Sequence, residues 1–197
     1  MRKRDGTFRS AHLLERTSAM TNPIILLNPP LDEATARGLR AGDEVRVTGA
    51  IYAARDAAHK RLIAALDEGQ PLPFDIQGAI VYYVGPTPGT PDQVLGSAGP
   101  TTSGRMDRYA PRLIETGLRA MIGKGNRNPA VVEAMRRCGA VYLAATGGAG
   151  ALLAKRIVRS EIVAYEDLGA EALRRMEVVD FPSIVAIDSH GRSLYSH

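Results

Sequence analysis

Polar and apolar positions alternate from Asp43 to Thr48, where Val45 and Val47 interleave with Glu44 and Arg46. That period of two predicts a strand with one wet face, ended by Gly49. Residues 53–68 (AARDAAHKRLIAALDE) change to a helical period, with Leu62, Ile63 and Leu66 as the apolar stripe and Gly69 as the stop. The continuous run Gly78 to Val84 predicts a buried strand, and the Pro/Gly-rich GPTPGTPDQ after it predicts a loop. Helical composition resumes near Ser103 and ends at Gly117. Leu118 to Ile122 then reads as a strand running into GKGNRNP. Asn128 and Pro129 open a helix as N-cap and first helical residue, and Gly139 closes it.

The same alternation continues with the strand AVYLAAT and with GGAGALLAKR, a glycine turn opening a helix. Two apolar strands follow, Glu161 to Tyr165 and Ser183 to Asp188, with a hairpin turn through Ser189 to Arg192. Upstream, an apolar segment from Ile24, a turn at Pro29 and Pro30, and a short helix capped by Asp32 precede the first strand. Residues 1–20 have no clear periodicity and are read as a frayed extension before one domain, 21–197. A targeting segment or an upstream start codon fits those residues equally well. Repeated strand, glycine turn and helix make the fold class α/β with mixed strand directions.

Composition narrows the chemistry. The 197 residues are 45% hydrophobic but only 5% aromatic, without tryptophan, so the core is built from Ala, Val, Leu and Ile. The net charge of +4 comes from 25 basic and 21 acidic residues that are interspersed, with no basic block among aromatics. That distribution argues against nucleic acid and suits an enzyme subunit that handles di-acids. The single cysteine, Cys138, excludes an internal disulfide and a self-contained iron–sulfur or zinc site. No apolar run approaches the roughly 20 residues of a membrane span, and the expected location is the cytoplasm.

The stretch from Gly99 to Arg127 concentrates the candidate chemistry. Thr101, Thr102, Ser103, Arg105, Lys124, Asn126 and Arg127 lie between two glycine-rich turns, a set suited to holding a small polyanion beside a hydroxyl. Arg55 and His59, four apart at a helix N-terminus, add a pair where an anion is electrostatically welcome, and Asp56 and Lys60 repeat that spacing. Taken alone, Thr101 and Thr102 read as helix caps, and Arg55 and Arg105 as solvated arginines. Lys124 directly follows an apolar strand, where open α/β sheets bind ligands. The glycines of TGGAG at 146–150 read as close helix–strand packing rather than a phosphate cradle, and Cys138 as packing. His190 and His197 show no metal-ligand spacing.

The blocks GPTTSGRMD and KGNR closely resemble the β subunit, or C-terminal domain, of class I iron–sulfur hydro-lyases, the family of fumarate hydratase and L(+)-tartrate dehydratase. GDEVRVTGAIYAARDAAHKR, DIQGAIVYYVGPTP, GAVYLAATGGAGALLAKRI and VVDFPSIVAIDSHGRSLY extend the resemblance over about residues 24–195. It implies a swivelling β/β/α domain. It also implies a [4Fe–4S] cluster held by three cysteines of a partner α subunit, in a heterodimer or heterotetramer, so that this chain is inactive alone. Thr101 would be the hydroxyl at the reacting carbon, a base or proton relay, while Arg55, Arg105 and Lys124 would bind substrate carboxylates. His59, Thr102 and Asn126 are lesser candidates. Cations at those places stabilise the charge that develops when a proton leaves the carbon beside a carboxylate. The implied reaction is fumarate plus water to L-malate, with tartrate to oxaloacetate as the alternative. From another class, the rival is a non-catalytic anion-binding or assembly module.

Overall fold

The computed structural model describes residues 23–145 and 149–195, so the expected extension at 1–20 and the TGG of the glycine turn lie outside the described residues. The chain forms β1 (Ile25–Leu27), α1 (Glu33–Gly38), β2 (Glu44–Ala53), α2 (Asp56–Asp67) and β3 (Ile80–Tyr82). There follow a small hairpin of β4 (Thr87–Pro88) and β5 (Leu95–Ser97), a 3-10 turn (Ser103–Met106) and α3 (Ala110–Thr116). Next come β6 (Ala120–Gly123), α4 (Pro129–Cys138), β7 (Val141–Ala144) and α5 (Gly150–Ala154). Last are β8 (Ile157–Ala164), a second 3-10 segment (Glu166–Glu171) and β9 (Leu173–Ile187).

Local signals set several boundaries where the sequence places them. Asp32 accepts the Thr35 N–H at 2.6 Å to cap α1, and Asn128 accepts the Val131 N–H at 3.0 Å to cap α4. Gly139 ends α4 in the left-handed region at φ 67, which a side chain would strain.

β1, β2, β3, β6 and β7 run parallel in that order. β9 lies antiparallel to β2 along one edge, from Glu44↔Ile184 to Ala53↔Arg174. Its other edge pairs with β8 and then with β7. β2, β3, β6, β7 and β9 therefore close into a ring. The inward face carries Val45, Val47, Ile51, Ile80, Tyr82, Ile122, Leu143 and Phe181 as one apolar cluster. The outward face carries Val81, Tyr83, Met121 and Tyr142, which pack with Leu62 of α2, Leu113 of α3 and Met135 of α4. Mixed strand directions and helices flanking a sheet agree with the α/β expectation.

Four elements differ from the sequence expectation. β2 does not stop at Gly49: its register with β9 slips between Val47 and Gly49 and then continues to Ala53. Glycine at φ +130 there bends the strand rather than ending it, so α2 starts later, at Asp56. The loop after Val84 contains the β4–β5 hairpin. The expected helix from Ser103 to Gly117 divides into a 3-10 turn and α3, with Pro111 in the first turn of α3. The last strands are longer than expected, and β8 joins β9 through Glu166–Glu171. The turn at 189–192 instead folds the chain after β9 back on itself, with Asp188 accepting the N–H groups of His190 and Arg192 and a bridge from Ile187 to Ser193.

Candidate active site

The carboxyl ends of β2, β3 and β6 meet at one edge of the parallel strands, the edge at which such sheets present ligand sites. Two of these ends lead directly into a nominated residue, β2 into Arg55 and β6 into Lys124, while β3 leads into Tyr83 and Gly85. The segment Thr101–Ser103 is wedged where β3 and β6 part. Thr101 N–H donates to the Tyr83 carbonyl at 2.8 Å, and Ser103 N–H donates to the Lys124 carbonyl at 3.0 Å. Thr102 pairs with Lys124 in a parallel bridge.

That wedge explains one glycine. A Cβ on Gly123 would come within 1.9 Å of the Ser103 hydroxyl, so only glycine allows the segment to approach β6. The Ser103 hydroxyl is shared with the Tyr142 phenol at 2.8 Å, and Tyr142 donates on to the Gly125 carbonyl at 3.0 Å. Ser103 is thus committed to scaffolding. Thr102 stands at the N-cap of the 3-10 turn without a side-chain capping bond, and Thr101 is half-buried beside it. The cap reading fails for Thr102.

Arg55 and Arg105 are brought together by a residue the sequence reading assigned elsewhere. Asp56 accepts from Arg105 Nη2 at 2.5 Å through Oδ2 and faces Arg55 Nε at 3.8 Å through Oδ1. Arg55 Nη2 also pairs with Glu171 at 3.2 Å, and Glu171 accepts the Ala57 N–H at the start of α2. Asp56 therefore serves Arg105 and Arg55 rather than Lys60. A Cβ on Gly85 would meet Arg55 Nη1 at 2.9 Å, so the guanidinium lies flat against that glycine. Two cations are thereby gathered on one carboxylate. Glu171 lies in the second 3-10 segment, and nothing local in its sequence marks it.

Lys124 is exposed and has no ion pair with another described residue. Asn126, also exposed, accepts the Arg127 N–H at 2.8 Å and shapes the turn. Arg127 turns inward: its Nε donates to Asp107 at 2.6 Å, and its guanidinium lies 5.2 Å from the Tyr83 ring centroid and 5.1 Å from that of Tyr142. Asp107 in turn accepts the Asn128 N–H at 2.8 Å and so anchors the start of α4. Burial pushes the Tyr83 and Tyr142 phenols upward, so both stay protonated near neutrality.

His59 does not reach the surface of this edge; it is fully buried, with Nδ1 2.8 Å from the Arg55 carbonyl oxygen. Burial pulls its pKa from 6.5 to about 4, against the raising effect of that hydrogen bond, and leaves it neutral. Cys138 lies towards the other end of β6 from Lys124. Its carbonyl accepts from Arg119, immediately before β6, whereas Lys124 immediately follows β6. Among the described residues no three His, Cys, Asp or Glu side chains cluster as metal ligands. Gly150 packs tightly, since a Cβ there would meet Ser97 Oγ at 2.4 Å.

Comparison with known proteins agrees with these motifs. The family described as Fumarase C-terminus matches residues 7–197. A putative L(+)-tartrate dehydratase subunit beta from Methanocaldococcus jannaschii is 40% identical over 171 residues, covering 84% of this chain and 88% of the relative. The aerobic class I fumarate hydratase of Escherichia coli (strain K12) is 38% identical over 173 residues, 86% of this chain but 32% of the relative. Mitochondrial fumarate hydratase 1 of Leishmania major is 36% identical over 188 residues, 93% of this chain and 33% of the relative. The chain thus spans about a third of the fumarate hydratases that it matches.

Proposed function

This chain belongs to the Fumarase C-terminus family, and from that premise we propose that it is the β subunit of a two-chain hydro-lyase acting on a four-carbon dicarboxylic acid. The reading is supported most by the convergence of Arg55, Thr101, Arg105 and Lys124 at one open sheet edge, where Asp56 already gathers two of the cations. Hydration of fumarate places a proton on one alkene carbon and a hydroxyl on its neighbour. Arg55, Arg105 and Lys124 are assigned the substrate carboxylates, the arginines offering planar bidentate contacts and the lysine a point charge. Substrate binding then replaces the Asp56 carboxylate on Arg105. Thr101, fixed through its backbone to Tyr83, is assigned to carry the proton at the reacting carbon, which requires activation of a weakly acidic hydroxyl by its surroundings.

Class I enzymes of this kind use a [4Fe–4S] cluster, and the residues of this chain do not fit one, because its single cysteine sits at the opposite end of β6. The cluster is therefore assigned to the α partner. That the Methanocaldococcus jannaschii relative is named a subunit beta supports the two-chain layout. Fumarate is the preferred substrate, tartrate the second; the complex is placed in the cytosol.

The test is anaerobic assembly with a cluster-bearing α subunit, followed by assay with fumarate, L-malate and both tartrate enantiomers. The complex should turn over and the isolated chain should not. Hydratase activity from the chain alone overturns the two-chain reading. A complex that binds dicarboxylates yet converts none would make this chain an anion-binding or assembly module instead.

A further inference from the structure

Buried directly behind Arg55, the His59 side chain makes one polar contact among the described residues, to the carbonyl that the His59 backbone N–H also reaches at 2.9 Å. Its Nδ1 lies 2.8 Å from the Arg55 carbonyl oxygen, which only accepts, so the proton is on Nδ1. Nε2 is buried with no hydrogen-bond partner among the described residues. The ring packs edge-on to Tyr83 at 5.3 Å and tilted on Tyr109 at 6.1 Å. A phenyl ring would fill that space without burying a bare nitrogen. Among the described residues, the only polar return for an imidazole here is the bond to Arg55.

That bond falls at a telling place. Arg55 is the N-cap of α2, in extended conformation and without a side-chain capping bond, at the point where the chain turns from β2 into the helix. Tyr83, against which the ring lies, uses its own carbonyl to hold the Thr101 N–H at 2.8 Å. One buried side chain thus touches both the backbone of an arginine and the tyrosine whose carbonyl holds the threonine. We infer that His59 is a positioning residue, a neutral imidazole whose Nδ1–H fixes the Arg55 backbone and, through Tyr83, sets the Arg55 guanidinium relative to Thr101. This rests on the reading of Arg55 as a carboxylate ligand. His59 exchanges no proton with substrate.

Two substitutions separate the donor from the ring in the assembled two-chain enzyme. His59→Phe keeps the ring and removes the donor; His59→Asn keeps a donor at the same reach and removes the ring. His59→Phe is expected to raise KM for the dicarboxylate about tenfold with an unchanged melting temperature. His59→Asn should return KM to within about threefold of the parent although it melts earlier. A purely structural role gives the reverse order, with His59→Asn the worse enzyme, and overturns the inference. Arg55→Ala serves as the reference. If it impairs turnover while His59→Phe behaves as the parent, only the positioning role falls. If Arg55→Ala is harmless, the carboxylate assignment fails and the positioning role with it.

Discussion

Arg105 and Arg127 come from one stretch of sequence and end in opposite surroundings. The Arg105 side chain is 51% exposed and held by Asp56 across 2.5 Å, whereas that of Arg127 is 0% exposed, bound to Asp107 and set between two tyrosine rings. A pair that solvent reaches contributes less than about 1 kcal/mol, so the tie between Arg105 and Asp56 is weak. A buried pair is harder to part, because an abandoned partner would be a bare charge in the interior. Identical guanidiniums therefore differ in kind: that of Arg105 sits in a pair that solvent reaches, and that of Arg127 is locked beneath the turn that carries Lys124.

The largest expected break in this contrast is Arg127→Ala. It strands Asp107 beneath the turn and should cost about 3–5 kcal/mol in urea denaturation. A loss below about 1 kcal/mol would place Arg127 with the weakly tied arginines. Next is acidification. The His59 pKa of about 4 in the fold lies below its ordinary 6.5, depressed by burial and by Arg127 despite the Arg55 carbonyl and Asp56. The unfolded chain therefore takes up the proton first, and stability falls from pH 6.5 towards pH 4 by up to about 3 kcal/mol. His59→Phe should remove that component, visible as a smaller difference between denaturation midpoints at pH 7 and pH 4.5 than in the parent; identical differences would show that the buried floor does not resist charging.

Gly123→Ala asks whether the two regions are mechanically joined. Its Cβ would collide with Ser103 Oγ, so the Thr101–Ser103 wedge must shift, at about 1–3 kcal/mol of stability and with loss of turnover in the assembled enzyme. Full activity would mean the wedge moves without consequence for Thr101. The smallest stability effect is expected for Arg105→Ala, within about 1 kcal/mol, combined with a loss of turnover of about a hundredfold or more. Stable protein with intact turnover would remove Arg105 from the site.

What the sequence disclosed follows the range of the forces involved. The Asp32 and Asn128 caps and the Gly139 stop act within a few residues and were readable as written. β9 was not, because Arg174, Arg175 and Glu177 interrupt its apolar pattern; Arg175 bonds Glu177 and faces Glu161 of β8, pairings visible only after the strands meet. Gly49 looked like a stop because its role as a bend depends on β9, which arrives much later in the chain. The cluster of hydroxyls and cations between Gly99 and Arg127 stood out by its spacing, but Thr101, Arg55 and Arg105 were nominated through the family resemblance, because alone they read as a cap and solvated arginines. Their carboxylate partner Asp56 could not be assigned, since Arg105 lies 49 residues away and helical spacing pointed to Lys60 instead. The inward turn of His59 was equally hidden, for it follows from Tyr83 and Tyr109 closing over α2.

The closing of the ring by β9 also has a temporal side. β2 finds its antiparallel neighbour only when Leu173–Ile187 has emerged from the ribosome, well over half the chain later. Until then the β2 and β7 edges are unpaired templates for other chains, the condition under which nascent polypeptides aggregate. Synthesis of this protein thus carries a waiting period, since the ring closes only through a pairing of high sequence separation.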